Sequence, residues 1–215
     1  MSRRPLRSVR YTCPMFSLPP GTRLLLWMNV GTFLLDYQLG GTLSTDLALW
    51  PIGSRAFGAP GFMPWQLVTY SFFHAGFLHI FLNMLGLVMF GGDVERVWGR
   101  NRFLTYYFVC VISAGLTQLL FTWFTGSMEP TIGASGGVFG ILLAFGLLFP
   151  RRIVMLIFPP IPMPAWLFVT IFGAIELFQG VAGTQAGVAH FAHLGGMLGG
   201  WLLMKFGGNG RGRRA

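Results

Sequence analysis

One serine, Ser135, sits among glycines in "TIGASGGVFGILLAFG" (residues 131–146), at the start of an otherwise apolar run. Ionisable or hydrogen-bonding side chains in such runs are costly, and each is a candidate for function. The set is short: Ser135, His74, His79, Asn83, His190, His193 and Glu176, which includes all four histidines of the chain. A serine hydroxyl beside an imidazole is an activated nucleophile. The ring takes the hydroxyl proton as oxygen attacks a carbonyl, then returns it to the leaving amine. The tetrahedral oxyanion then needs donors, and the Ser135 N–H at a helix N-terminus, the His79 ring and the Asn83 amide are available. Asp36, Asp46 and Glu129 fall in connections or at a helix end. Glu176 reads as a structural hydrogen-bonding partner or a polar helix end, so the pattern predicts a Ser–His dyad without a third carboxylate. His190 reads as a packing or interfacial histidine, and His74 as a brace for the loop before it.

The elements that position these groups must be membrane helices. Of 215 residues, 53% are hydrophobic and only 10% charged. The mean hydropathy is +0.63, whereas soluble domains carry roughly 25% charged residues. Apolar segments near bilayer-crossing length are expected at 22–40, 76–92, 102–125, 134–150, 163–180 and 187–206. Residues 1–21 and 207–215 form basic tails, read as cytoplasmic. A long Pro-, Gly- and aromatic-rich connection, 41–73, reads as interfacial. Prolines at 159, 160, 162 and 164 predict a loop or re-entrant segment before the fifth helix. Cys13 and Cys110 lie in unlike contexts and do not suggest a disulfide.

Six crossings would put 14 of the 15 Lys and Arg residues on one side, leaving only Arg55 on the other. That asymmetry predicts cytoplasmic termini. It also explains the net charge of +9 by anionic lipid, with no nucleic acid required. In this topology the second, fourth and sixth helices start at the outer face. His79 and Asn83, spaced i and i+4 on one helix face, then share a depth with Ser135 and with His193, placed two turns into the sixth helix. Gly136, Gly140 and Ala144 form a small-residue stripe, and Gly195/Gly199 and Gly196/Gly200 form two GxxxG pairs. Such stripes let membrane helices approach closely and would bring Ser135 within reach of His193.

At these residues the chain resembles the rhomboid family of intramembrane serine proteases. The matching stretches are "HAGFLHIFLN", "GASG" and "AHLGGMLGG", supported by "GGDVERVWGRNRFLTYY" and by "WQ" at 65–66, where many members carry Trp-Arg. The likeness covers about residues 60 to 205. It implies a rhomboid-like six-helix bundle, Ser135 as nucleophile, His193 as general base, and His79, Asn83 and the Ser135 N–H as oxyanion-stabilising groups. Gly133, Gly136, Gly140, Gly196 and Gly200 would pack the helices near the site. Phe139 replaces a stacking tyrosine of some relatives and keeps the stacking face. The resemblance further implies cleavage in or near transmembrane segments of membrane proteins, with no metal or organic cofactor. With no transit peptide recognised and a short basic N-terminus, a bacterial plasma membrane is expected. Two other classes stand beside this one: a catalytically inactive rhomboid-like client-binding protein, and a transporter or metal-binding protein using the histidines, for which the sequence offers no completing carboxylate.

Overall fold

The computed structural model describes residues 18–155, 159–183 and 189–207. The expected tails, 1–21 and 207–215, lie almost wholly outside this range, as do Cys13 and the start of the segment expected at 187. Within it, each of the six expected apolar segments is helical. These are α1 (Pro20–Gln38), α4 (Phe77–Gly86) running through a π turn (Leu87–Gly91) into α5 (Gly92–Trp98), α6 (Arg100–Thr125), α7 (Ser135–Leu148), α8 (Ala165–Ala182) and α9 (His190–Phe206). Three of them, Phe77–Trp98, Arg100–Thr125 and Ala165–Ala182, are long and apolar enough to cross a membrane, and α7 is a shorter apolar helix. The bundle is mostly helical, with one departure from the all-α expectation. The proline-rich segment before α8 forms a small antiparallel hairpin of β1 (Ile153–Met155) and β2 (Pro162–Pro164), with Val154 opposite Met163. Prolines are tolerated there because a two-stranded ribbon consists only of edges.

Helix α6 is central and contacts both α7 and α9. The small residues explain how closely these three approach. A Cβ added at Gly196 would fall on the backbone carbonyl of Gly136, one at Gly140 on the Cys110 side chain, and one at Gly200 on the Tyr106 hydroxyl. Helices α7 and α9 therefore meet backbone to backbone, as the stripe predicts. Tyr106 Oη donates to the Gly140 carbonyl at 2.8 Å and Ser113 Oγ to the Gly195 carbonyl at 2.8 Å, so each stripe is also tied to α6.

The 41–73 connection is structured, with α2 (Thr42–Leu47), a 3-10 turn (Ser54–Phe57), α3 (Gln66–Thr69) and a second 3-10 turn (Tyr70–Phe72). Gln66, 1% exposed, organises it. Its Oε1 accepts from Trp50 N and Met63 N, and its Nε2 donates to the carbonyls of Asp46 and Gly61. The connection braces the approach to α7, because Leu49 and Thr131 exchange two backbone hydrogen bonds of 3.0 Å and Gly133 N donates to the Tyr70 carbonyl at 3.0 Å.

At the other end of the bundle, Glu95 makes no salt bridge among the described residues, although a pairing with Arg100 or Arg102 is its simplest sequence reading. Instead it accepts from Gly21 N (2.7 Å), Thr22 N (2.6 Å) and Thr22 Oγ1 (2.8 Å), and so caps the N-terminus of α1 from a different helix. Arg102 lies over the Trp98 ring, and Asp93 pairs with both Arg96 and Arg152.

Candidate active site

Ser135 is the first residue of α7, and its backbone enters the helix from Gly133 and Ala134. The opening N–H groups of a helix have no intrahelical acceptor, so this end is a local positive pole. His193 lies in the first turn of α9, not two turns in, because that helix begins at His190 and not near 187. The close contact of Gly136 with Gly196 brings the two side chains together, and Ser135 Oγ and His193 Nε2 stand 2.7 Å apart. Phe139, one turn after the serine, stacks on the His193 ring with centroids 4.5 Å apart and planes 6° apart. The stacking face expected of that residue is in place.

Glu176 is the residue that sequence reasoning set aside. Its Oε2 stands 2.8 Å from His193 Nδ1 and 2.7 Å from His190 Nδ1. A carboxylate only accepts, so both Nδ1–H groups donate to it. His193 Nε2 is then left with a lone pair directed at the Ser135 hydroxyl. Glu176, His190 and His193 are buried, and Ser135 is half-buried. The expectation of a serine–histidine pair without a carboxylate behind it does not match this geometry. Counting along the helices gives the depth of Glu176, though not the helix it faces. Glu176 lies six residues before the end of α8 and His193 in the first turn of the following helix, which puts both about 9 Å or less from the same face.

The same three residues supply the carboxylate that the sequence reading found missing from a histidine metal set. Their ligand atoms lie within 4.8 Å of one another, the one such group among the described residues. The separations of 2.7 and 2.8 Å from Oε2 are hydrogen-bond lengths. Two ligands each about 2.0–2.1 Å from a tetrahedral zinc stand roughly 3.3 Å apart. As arranged, the set shares protons and would have to spread to hold an ion.

On the other side of the serine, Ala75 N donates to His79 Nδ1 at 3.3 Å, which leaves the proton of the neutral ring on Nε2. That Nε2 faces Gly133. A Cβ there would stand 2.8 Å from His79 Nε2 and 3.6 Å from Ser135 Oγ. Gly133, expected to pack helices, instead keeps open the gap between His79 Nε2 and Ser135 Oγ, and its φ of 131° suits glycine alone. Asn83 is buried, and its Nδ2 donates to the His79 carbonyl at 2.9 Å. One amide hydrogen is thus engaged within α4, and the other remains for the cavity. His74, 6% exposed, packs edge-on against His79 at 5.0 Å. Burial first, and the neighbouring His79 second, lower its pKa from 6.5 to about 3.

Ser135, His193, His190, His79 and Asn83 all line one cavity of about 1390 Å³, with apolar walls that include Phe139, Leu142, Phe168 and Phe172. The molecule is therefore a helical membrane protein whose polar residues converge on a serine at a helix N-terminus, inside an apolar cleft.

Comparison with known proteins identifies the class. A family model for the Rhomboid domain matches residues 61–209, and the chain belongs to the rhomboid family of integral membrane proteins. Similar proteins include Rhomboid protein 1, mitochondrial, of Saccharomyces cerevisiae, 32% identical over 153 residues covering 65% of this chain and 42% of the relative. Rhomboid protease GluP of Bacillus subtilis is 28% identical over 172 residues, covering 79% of this chain and 31% of the relative. Putative rhomboid protease YdcA of the same organism is 28% identical over 142 residues, covering 65% of each chain. The match thus spans between about a third and two thirds of these relatives' lengths.

Proposed function

We propose that this chain is an intramembrane serine endopeptidase that cleaves peptide bonds in or near transmembrane segments of membrane proteins. The observation that carries the proposal is the 2.7 Å approach of Ser135 Oγ to His193 Nε2 at the N-terminus of α7. Ser135 attacks the scissile carbonyl while His193 accepts its proton at Nε2 and then delivers it to the leaving amine. The oxyanion forms in the gap that Gly133 leaves open beside His79 Nε2–H, with the free amide hydrogen of Asn83 and the Ser135 N–H as further donors from residues lining the same cavity. Water, activated by the same imidazole, then hydrolyses the acyl-enzyme.

The length of α7 supports an intramembrane site. Fourteen residues rise about 21 Å, against a hydrocarbon core of about 30 Å. With its C-terminal end near Arg151 and Arg152 at one interface, the serine lies roughly 9 Å below the opposite one. In this reading, residues 22–206 form one membrane domain of six crossings, with both basic ends on the cytoplasmic side, and the partners are substrate transmembrane segments and lipid. Several relatives carry mitochondrial names, from yeast and zebrafish, beside those of Bacillus subtilis. They give the bacterial plasma membrane expected from the sequence no support over an organelle's.

The test uses purified protein in detergent or liposomes with a fluorophosphonate probe and a transmembrane-segment substrate. Wild type is expected to label and cleave, while Ser135→Ala and His193→Ala lose both. Cleavage that survives Ser135→Ala would sink the assignment. Folded wild type that neither labels nor cleaves would favour the client-binding reading.

A further inference from the structure

Glu176 is the one ionisable side chain of α8. The elements packed against α8 are α7, α9 and the β hairpin. Neither α7 nor the two strands contain a titratable residue, and α9 contributes His190, His193 and, three turns further on, Lys205. Among the described residues, the carboxylate is thus faced by two histidines and by no cation nearby. A charge buried in an apolar helix without water must be held by donors, and here both donors come from one turn of one helix.

We propose that Glu176 is a positioning residue for the Ser135–His193 pair, and that His190 positions Glu176 in turn. The proposal rests on the serine hydrolase reading above. Free neutral imidazole divides between two tautomers, and in one of them Nε2–H would face a hydroxyl that it cannot deprotonate. Donation from Nδ1 to Glu176 at 2.8 Å selects the other tautomer. Phe139 fixes the plane of the ring, and the carboxylate fixes its rotation within that plane. When His193 takes the Ser135 proton, the imidazolium is already paired with a buried anion, so the charge is stabilised where it forms. His190 donates to the same oxygen at 2.7 Å. It remains when His193 moves, and keeps Glu176 from standing unpaired.

A purely structural account would make Glu176 a clamp between α8 and α9, and the two accounts differ in measurable ways. The full chain in liposomes is assayed with a transmembrane-segment substrate across a pH series, as wild type, Glu176→Gln, Glu176→Ala, His190→Ala and His190→Asn. Thermal unfolding is measured in parallel. Glu176→Gln is expected to lower kcat about 10²-fold with KM little changed. The acid limb of its rate profile should move to lower pH, because the imidazolium has lost its counter-charge. His190→Ala should lower kcat about tenfold. His190→Asn, whose amide donates from nearly the position of Nδ1, should restore most of it. Wild-type kcat and an unmoved acid limb in folded Glu176→Gln would overturn the proposal alone. So would losses that track thermal stability with no rescue by asparagine. An inactive wild type would overturn the serine hydrolase reading and this inference with it. Should Glu176→Ala fail to fold, the isosteric glutamine and the His190 pair carry the decision.

Discussion

The four histidines form two pairs, His74 with His79 and His190 with His193, and their ring geometries are alike: edge-on, with centroids 5.0 Å and 6.3 Å apart. Their surroundings differ by one carboxylate. Glu176 accepts from both rings of the second pair, while the first pair has no anion beside it among the described residues and His79 receives a backbone N–H from Ala75 instead. In the first pair His79 therefore has an Nε2–H to offer, and in the second His193 holds an Nε2 lone pair directed at Ser135. One residue type serves opposite roles because a carboxylate reverses which ring nitrogen carries the proton.

The comparison breaks most severely at His79. His79→Ala should lower kcat about 10²–10³-fold while fluorophosphonate access to Ser135 persists, because in the proposed mechanism the loss falls on an oxyanion donor and not on the nucleophile. Equal loss of labelling and turnover would count against that division of roles. His74 sharpens the contrast through pH. With its pKa at about 3 in the fold and 6.5 outside it, the unfolded chain binds a proton between those values that the folded chain does not. His74 thus makes stability rise with pH across that window, by at most about 1.4 kcal/mol per unit. His74→Phe should flatten the decline in stability below pH 6.5, as measured by denaturation in detergent. The smallest effect is expected for Phe139→Tyr. A hydroxyl added to a ring that already stacks at 4.5 Å should leave kcat/KM within about threefold.

Much of this arrangement is legible in the sequence, for reasons that also mark its limit. The small residues at 136, 140, 196 and 200 encode a close helix contact, because spacing by four keeps them on one face. That contact brings Ser135 to His193. His79 and Asn83 follow from the same periodicity. Glu176 escaped because its partners lie 14 and 17 residues away on another helix, and no local pattern encodes which helix α8 will face. Glu95 escaped similarly: its partners, Gly21 and Thr22, are 74 and 73 positions away, and nearby arginines offered a simpler local pairing. The role of Gly133 depends on a loop pinned by Tyr70 and Leu49, a tertiary constraint that spacing does not carry. The β hairpin was hidden by its prolines, which local propensity reads as a break.

The contact between Gly136 and Gly196 has a consequence for how the cleft can change. Since only main chain separates α7 from α9 at that level, the spacing of the two backbones that carry Ser135 and His193 is set by main-chain contact, and Phe139 and Glu176 then orient the His193 ring. The apolar walls of the cleft, Leu142, Phe168 and Phe172 among them, can therefore drift in shape over many substitutions while the reacting atoms keep their register. For the proposed protease this means that substrate preference and chemical competence are mechanically uncoupled, and a new preference can be acquired without the chemistry being relearned.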